Sequence, residues 1–172
     1  HGGAAIVSKG FSGLSERGYG KEEQGKLSLS MAEALYLQRK GKIKVLEGKK
    51  AVSEGALSKA ASGLDRRFRE KAAVYSDLRD RGLLVKTGFK FGCDFRVYGR
   101  GVAAASGEMR GRKAPGEHTR WIVHAATEGY TCAFQELSRA VRLAHSIRAR
   151  MLWAVVDAEG CVTYYEIVRA KP

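Results

Sequence analysis

The sequence predicts a mixed α/β (α+β) protein built in two parts. Residues 1–70 form a small N-terminal α/β domain, and residues 71–172 a larger domain with a central mixed β-sheet flanked by helices. Three observations carry this reading. Capped helical segments with a 3.6-residue apolar period occupy residues 30–41 and 65–82. After Gly82 the pattern changes to short runs that are apolar or alternate apolar and polar, the mark of strands. One further helical period then separates these runs from a final pair of strands. Hydrophobic residues make up 44% of the 172 residues, enough for a shared core and too many for a disordered tail.

In chain order, residues 8–26 are rich in glycine and charge and hold neither period. They read as a mobile loop, basic and Gly-rich over 10–26, between two ordered pieces. Arg17, Tyr19 and Lys21 are its potential contact groups. Ser30-Met31-Ala32-Glu33 has the form of a capping box and opens a helix that runs through Leu37 and stops near Gly41. Residues 42–46 alternate and read as a strand, ended by the turn Glu47-Gly48-Lys49. Asp65 caps a second long helix whose apolar face is Phe68, Ala72, Tyr75 and Leu78, closed by Gly82. Strands follow at 83–86, 90–98 and 121–126. The 99–117 segment between the last two is far longer than a hairpin loop. A helix over 134–150 buries Leu137, Val141, Ala144 and Ile147 and turns Arg139, Arg142 and Arg148 outward. Strands at 151–156 and 161–168 are joined by a tight turn at Asp157-Ala158-Glu159-Gly160.

The 31 basic and 18 acidic residues give a net charge of +13. Such a chain favours a polyanion, above all a nucleic acid. No apolar run approaches a membrane span. The opening residues are too short and lack the basic lead of a signal peptide. The expectation is a cytoplasmic protein with no membrane partner. Cys93, Cys132 and Cys161 are widely spaced with no Cys-x-x-Cys pair, which disfavours zinc. They read as small core or strand residues, with a Cys93–Cys161 bridge only where the compartment or a thermophilic habit permits it. No metal or cofactor is implied.

Two strands each carry one proton-transfer residue. Along 91–98, Phe91, Cys93, Phe95 and Val97 point one way, and Tyr98 points the other with Arg96. Before 121–126, His118 and Arg120 lie opposite Trp121 and Val123. A tyrosine and a histidine among arginines suit RNA cleavage by the RNA's own 2′-hydroxyl. That reaction needs a base for the 2′-OH, an acid for the departing 5′-oxygen and a cation for the phosphate. A phenol has a reference pKa near 10 and needs positive charge nearby to serve as the base. A Lys or Arg is expected as the third partner. The sequence holds no phosphate-binding Gly-x-x-x-x-Gly-Lys-Ser/Thr loop, no Gly-x-Ser-x-Gly elbow and no obvious two-metal carboxylate cluster.

At these residues the chain resembles the archaeal tRNA-splicing endonuclease (tRNA-intron endonuclease) family, catalytic subunit, crenarchaeal type. The matching segments are VYSDLRDRG at 74–82, KTGFKFGCDF at 86–95, Val97-Tyr98, HTRWIV at 118–123, RLAHSIR at 142–148, WAVVD at 153–157 and Thr163-Tyr164-Tyr165. Residues 28–45 look like the family's N-terminal domain. The resemblance implies a nuclease-like C-terminal domain. It also implies cleavage of precursor tRNA at intron boundaries within a bulge-helix-bulge, leaving a 2′,3′-cyclic phosphate and a 5′-hydroxyl. By motif, Tyr98 would be the general base and His118 the general acid.

The family's third catalytic residue is a lysine, and Ala149 stands at its position. Three explanations are open: a substitution made to stop cleavage, replacement by Arg148 or Arg150, or a non-catalytic RNA-binding structural subunit. The first is favoured, because Tyr98 and His118 are both retained. The family also uses two arginines of a neighbouring catalytic unit to sandwich a flipped bulge base; Arg142 matches the first position, and Arg169 is the candidate for the second. His124 and His145 match no catalytic motif and read as packing or orienting residues. One motif copy per chain suits a tetramer, and the 10–26 loop resembles an extra RNA-contacting loop of members that pair catalytic and structural subunits in an α2β2 heterotetramer. Lys21 is its best single RNA contact. The docking loop used in family assembly falls at residues 127–131, which hold one acid, Glu128. The 99–117 segment has no clear family counterpart.

Overall fold

The structure, a computed structural model, describes residues 3–88, 92–100 and 118–170. A three-stranded antiparallel sheet is formed by β1 (Ala4–Val7), β3 (Lys26–Ser30) and β2 (Lys21–Glu23), with β3 central. Helices α1 (Ser12–Glu16) and α2 (Met31–Arg39) flank it in sequence. A two-stranded hairpin of β4 (Leu46–Glu47) and β5 (Lys50–Ala51) leads to α3 (Glu54–Leu64) and α4 (Phe68–Asp80). The remainder is a five-stranded sheet of β6 (Leu83–Thr87), β7 (Phe95–Arg100), β8 (Trp121–Thr127), β9 (Arg150–Val156) and β10 (Val162–Ile167), in the order β10-β9-β8-β7-β6. All neighbours are antiparallel except β8 and β9, which need a crossover; α5 (Phe134–Ser146) supplies it.

Both faces of this sheet are covered. Against one face, α4 joins a buried cluster that runs without a break from Leu27, Leu29 and Leu35 through Val74 and Tyr75 to Val123 and Ala154. Against the other, α5 packs Ala140 and Ala144 over Ile122, Met151 and Trp153. An aromatic chain crosses the first cluster from Tyr19 to Tyr36, Tyr75 and Phe95, with centroid separations of 6.3, 5.8 and 5.9 Å.

The mixed α/β class, the capping box, the helix on Phe68, the five strands after Gly82 and the Asp157 turn match the sequence reading. Ser30 Oγ accepts from the Glu33 N–H while the Glu33 carboxylate accepts from the Ser30 N–H. At the last turn, Asp157 Oδ1 accepts from the Glu159 and Cys161 N–H groups, and Gly160 takes φ of 88°.

Other elements differ. Residues 8–26 are largely built rather than a mobile loop: they hold α1, β2 and the first residue of β3. Their order comes from single contacts that leave no period. Gly20 N–H donates to the buried Glu33 carboxylate at 2.8 Å, and Arg79 lies over the Tyr19 ring at 3.9 Å. At Gly20, φ is +64° and an added Cβ would stand 2.7 Å from the Ser28 carbonyl. Strand β1 falls in an opening stretch too short to show a period.

Residues 42–45 are not a strand; only Leu46–Glu47 pair, with Lys50–Ala51. Helix α3 was not expected, because it buries little beyond Leu57 and Ala61 and so lacks a full apolar stripe. Asp65 closes α3, and α4 starts at Phe68 after Arg67. Helix α5 stops at Ser146: Arg148 takes the left-handed φ of 56°, and Ala149 N–H donates back to the Ala144 carbonyl. The three cysteines are free. Cys93 is buried, its thiol pushed up to about 11 by burial and by the Asp94 charge, whereas Cys132 and Cys161 are exposed rather than core residues.

Candidate active site

The ends of three adjacent strands meet where Tyr98 leaves the middle of β7, His118 precedes β8 and Ala149 precedes β9. The register fixes this convergence. Val97 pairs with Trp121, and Trp121 pairs with Arg150, so the residue after Val97 and those before Trp121 and Arg150 share one end of the sheet. Two backbone bonds extend the pairing past the strands: Arg120 N–H donates to the Val97 carbonyl at 2.9 Å, and Arg150 N–H donates to the Arg120 carbonyl at 3.0 Å.

Strand alternation adds the face. Arg96 pairs with Ile122, and Ile122 pairs with Met151; Ile122 and Met151 both lie beneath α5. Tyr98 and Ala149, two residues from Arg96 and Met151, therefore lie on the α5 side. His118 is exposed. Tyr98 is not on an open polar face as its alternation with Phe95 and Val97 suggested; it is only 4% exposed, opposite the equally buried Leu84. Leu84 in turn is packed against Gly18, from the segment read as a loop. The Lys86 ammonium donates to the Gly20 carbonyl at 3.3 Å and ties that segment to β6.

At the other end of β7, just before Phe95, Asp94 forms an electrostatic anchor. Its carboxylate accepts from the Ala125 N–H at 2.9 Å and from Arg67 at 2.8 Å, with Lys71 at 3.3 Å and His124 Nδ1 at 3.7 Å. Burial alone would raise this carboxyl, but His124, the Ala125 N–H and the two cations outweigh it and hold it at about 2. His124 also lies 5.0 Å from the Trp153 ring, in a packing and orienting position. The Asp94–Arg67 pair spans 27 residues, and no local pattern in the sequence signals it.

The other expected contact residues divide into two places. Arg142 and Arg169 both line a cavity of about 250 Å³ between the end of α5 and the end of β10. Ala149 and the exposed His145 line the same cavity, so the two arginines and the alanine position are neighbours in space. Lys21 lies apart from them on β2 in the N-terminal sheet, exposed and paired with the Glu23 carboxylate. Residues 127–131 close β8 in a turn, where the Tyr130 hydroxyl donates to Glu136. The expectations for residues 101–117 lie outside the described residues.

Comparison with known proteins places the chain in a lineage. Residues 68–164 match the tRNA intron endonuclease catalytic C-terminal domain, and residues 2–58 match the tRNA intron endonuclease N-terminal domain. The chain belongs to the tRNA intron endonuclease family. Among its relatives, the tRNA-splicing endonuclease of Thermococcus kodakarensis is 39% identical over 91% of this chain and 86% of its own length. That of Thermococcus gammatolerans is 40% identical over 89% and 83%, and that of Methanococcus maripaludis 38% over 92% and 84%. As a member of the tRNA intron endonuclease family this chain is of RNA-cleaving endonuclease type, and the matched residues run through the three-stranded and the five-stranded sheets.

Proposed function

We propose that this chain cleaves precursor tRNA at intron–exon junctions presented in a bulge-helix-bulge, without a metal ion, as the catalytic subunit of an α2β2 heterotetramer. The observation that supports it most is the convergence of Tyr98, His118 and Ala149 on one end of three adjacent strands. Tyr98 takes the proton from the 2′-hydroxyl, whose oxygen bonds to phosphorus. The bond from phosphorus to the 5′-oxygen breaks, and His118 gives that oxygen a proton. The products are a 2′,3′-cyclic phosphate and a 5′-hydroxyl. Arg142 and Arg169, which share a cavity, grip a bulge base by stacking and cation–π contact, and Lys21 touches RNA from the N-terminal sheet. Residues 1–70 and 71–172 act as the two domains of this subunit.

Ala149 occupies the position where the family resemblance calls for lysine, so cleavage by this chain is slow. For assembly, β10 leaves one edge of the sheet unpaired among the described residues, with Tyr165 and the following Val168 exposed, a surface suited to another subunit.

The test is single-turnover cleavage of a bulge-helix-bulge RNA in EDTA. Ala149→Lys is expected to raise the rate roughly 100-fold, about the worth of one charge-stabilising donor. In that background, Tyr98→Phe and His118→Ala each lower it about 100-fold or more. Absence of cleavage by Ala149→Lys, alone and with a structural partner subunit, would overturn the reading and leave a non-catalytic RNA-binding subunit, which Ala149 itself favours. Activity lost in EDTA would overturn the metal-free mechanism.

A further inference from the structure

We infer that Arg120 is a phosphate-holding residue of this site and supplies the cation that Ala149 cannot. The inference rests on the cleavage reading above and adds a residue to it.

The argument begins with the backbone. Arg120 is bonded on one side to Val97, the neighbour of Tyr98, and on the other to Arg150, the neighbour of Ala149. It therefore stands on the strand between the candidate base and the alanine, about 4.8 Å from each flanking strand. His118 lies two residues before it. Alternation with Ile122, which is buried beneath α5, assigns Arg120 to the face shared by Tyr98 and Ala149. A phosphate held between the acid and the base would lie over this residue.

The side chain rests away from that face and turns to reach it. Arg120 is exposed, and its guanidinium rests 4.4 Å from the Trp121 ring. An exposed contact of this kind is weak beside the charge-assisted, two-pronged bonds that a guanidinium makes to a phosphate. The Trp121 ring packs on the α4 side, so the guanidinium swings off it around the end of β8 to reach the face of Tyr98, and an exposed contact of this kind releases it at little cost.

The alternatives are engaged elsewhere. Arg150 pairs with Trp121, whose ring packs on the α4 side, and it reaches Glu166 at 3.4 Å. Arg96 donates to the Thr87 carbonyl at 3.2 Å, which draws it along β6. Arg148 sits in the left-handed turn beyond α5, exposed and outside the strand ladder.

The experiment measures single-turnover cleavage and RNA affinity for the full chain, Arg120→Ala, Arg120→Lys and Ala149→Lys, with Ala149→Lys/Arg120→Ala as the double variant. Arg120→Ala is expected to lower the residual rate of the parent about 100-fold or more, with RNA affinity changed less than about threefold. Arg120→Lys keeps part of the rate, since it retains charge but not the planar fork. In the Ala149→Lys background, Arg120→Ala costs less than about tenfold, because the lysine takes over. Thermal unfolding of Arg120→Ala matches the parent. Parent-like cleavage by Arg120→Ala overturns the inference while leaving the cleavage reading intact. So does a parent that fails to cleave while Ala149→Lys succeeds. If neither chain cleaves, the cleavage reading fails and this inference falls with it.

Discussion

Asp94 shows how one residue ties a helix to the central sheet and sets an acid limit on the fold. Its carboxylate ties the turn before β7 to α4 through Arg67 and Lys71, and to β8 through the Ala125 N–H. The folded carboxyl lies at about 2, below its value in an unfolded chain. A depressed folded pKa contributes stability that is complete above the unfolded value, near pH 4. That contribution is lost as the pH falls from there through about 2. The difference corresponds to about 2 kcal/mol. Asp94→Asn is therefore expected to flatten the loss of stability between pH 4 and pH 2, as read by denaturant midpoints, and to cost stability at pH 7. A variant whose midpoint falls with acid as steeply as the parent's would dismiss this role. The residue types of the site were legible in the sequence because Tyr98 and His118 fall in ordered motifs. The Asp94–Arg67 pair was not, since it joins residues far apart in sequence that no local period connects.

Among the elements, the segment joining α1 to β2 is where the sequence reading and the structure part most. Its composition of glycine and charge describes a solvated loop, yet it packs against Leu84, opposite Tyr98, and bonds to Glu33 of α2. The long amphipathic helices and apolar strands were legible because each repeats its period several times. Short elements fixed by one glycine, one buried carboxylate and one arginine–aromatic contact repeat nothing. Gly20 is the position to probe. A side chain there meets both a left-handed φ and the Ser28 carbonyl. Gly20→Ala is expected to destabilise the protein by about 1–3 kcal/mol. Hydrogen exchange should rise first in β2 and in the residues around Leu84. An unchanged unfolding midpoint would show that this segment does not clamp the two sheets together.

For the whole molecule, charge and architecture act together. The +13 net charge signals a polyanion from composition alone, but composition cannot say where the phosphates lie. The fold supplies places: Arg142 and Arg169 converge on one cavity beside Ala149, although 27 positions separate them in the chain, because α5 returns its last turn against the end of β10. If a chain of this charge binds RNA as proposed, binding should be strongly salt-dependent. The logarithm of the association constant is expected to fall linearly with the logarithm of salt concentration, with a slope steeper than about −4, equivalent to roughly five or more phosphate contacts. Contact with phosphate and contact with a base then separate. A phosphate-holding arginine changed to alanine lowers the slope by about 1 and weakens binding to every RNA alike. A base-gripping arginine leaves the slope nearly unchanged and loses the preference for a bulged RNA over a continuous duplex of equal length. Arg142→Ala and Arg169→Ala are expected to behave in the second way. Titrating each against both RNAs at several salt concentrations measures it, and a slope lowered by about 1 with bulge preference intact would reassign them to the phosphate backbone.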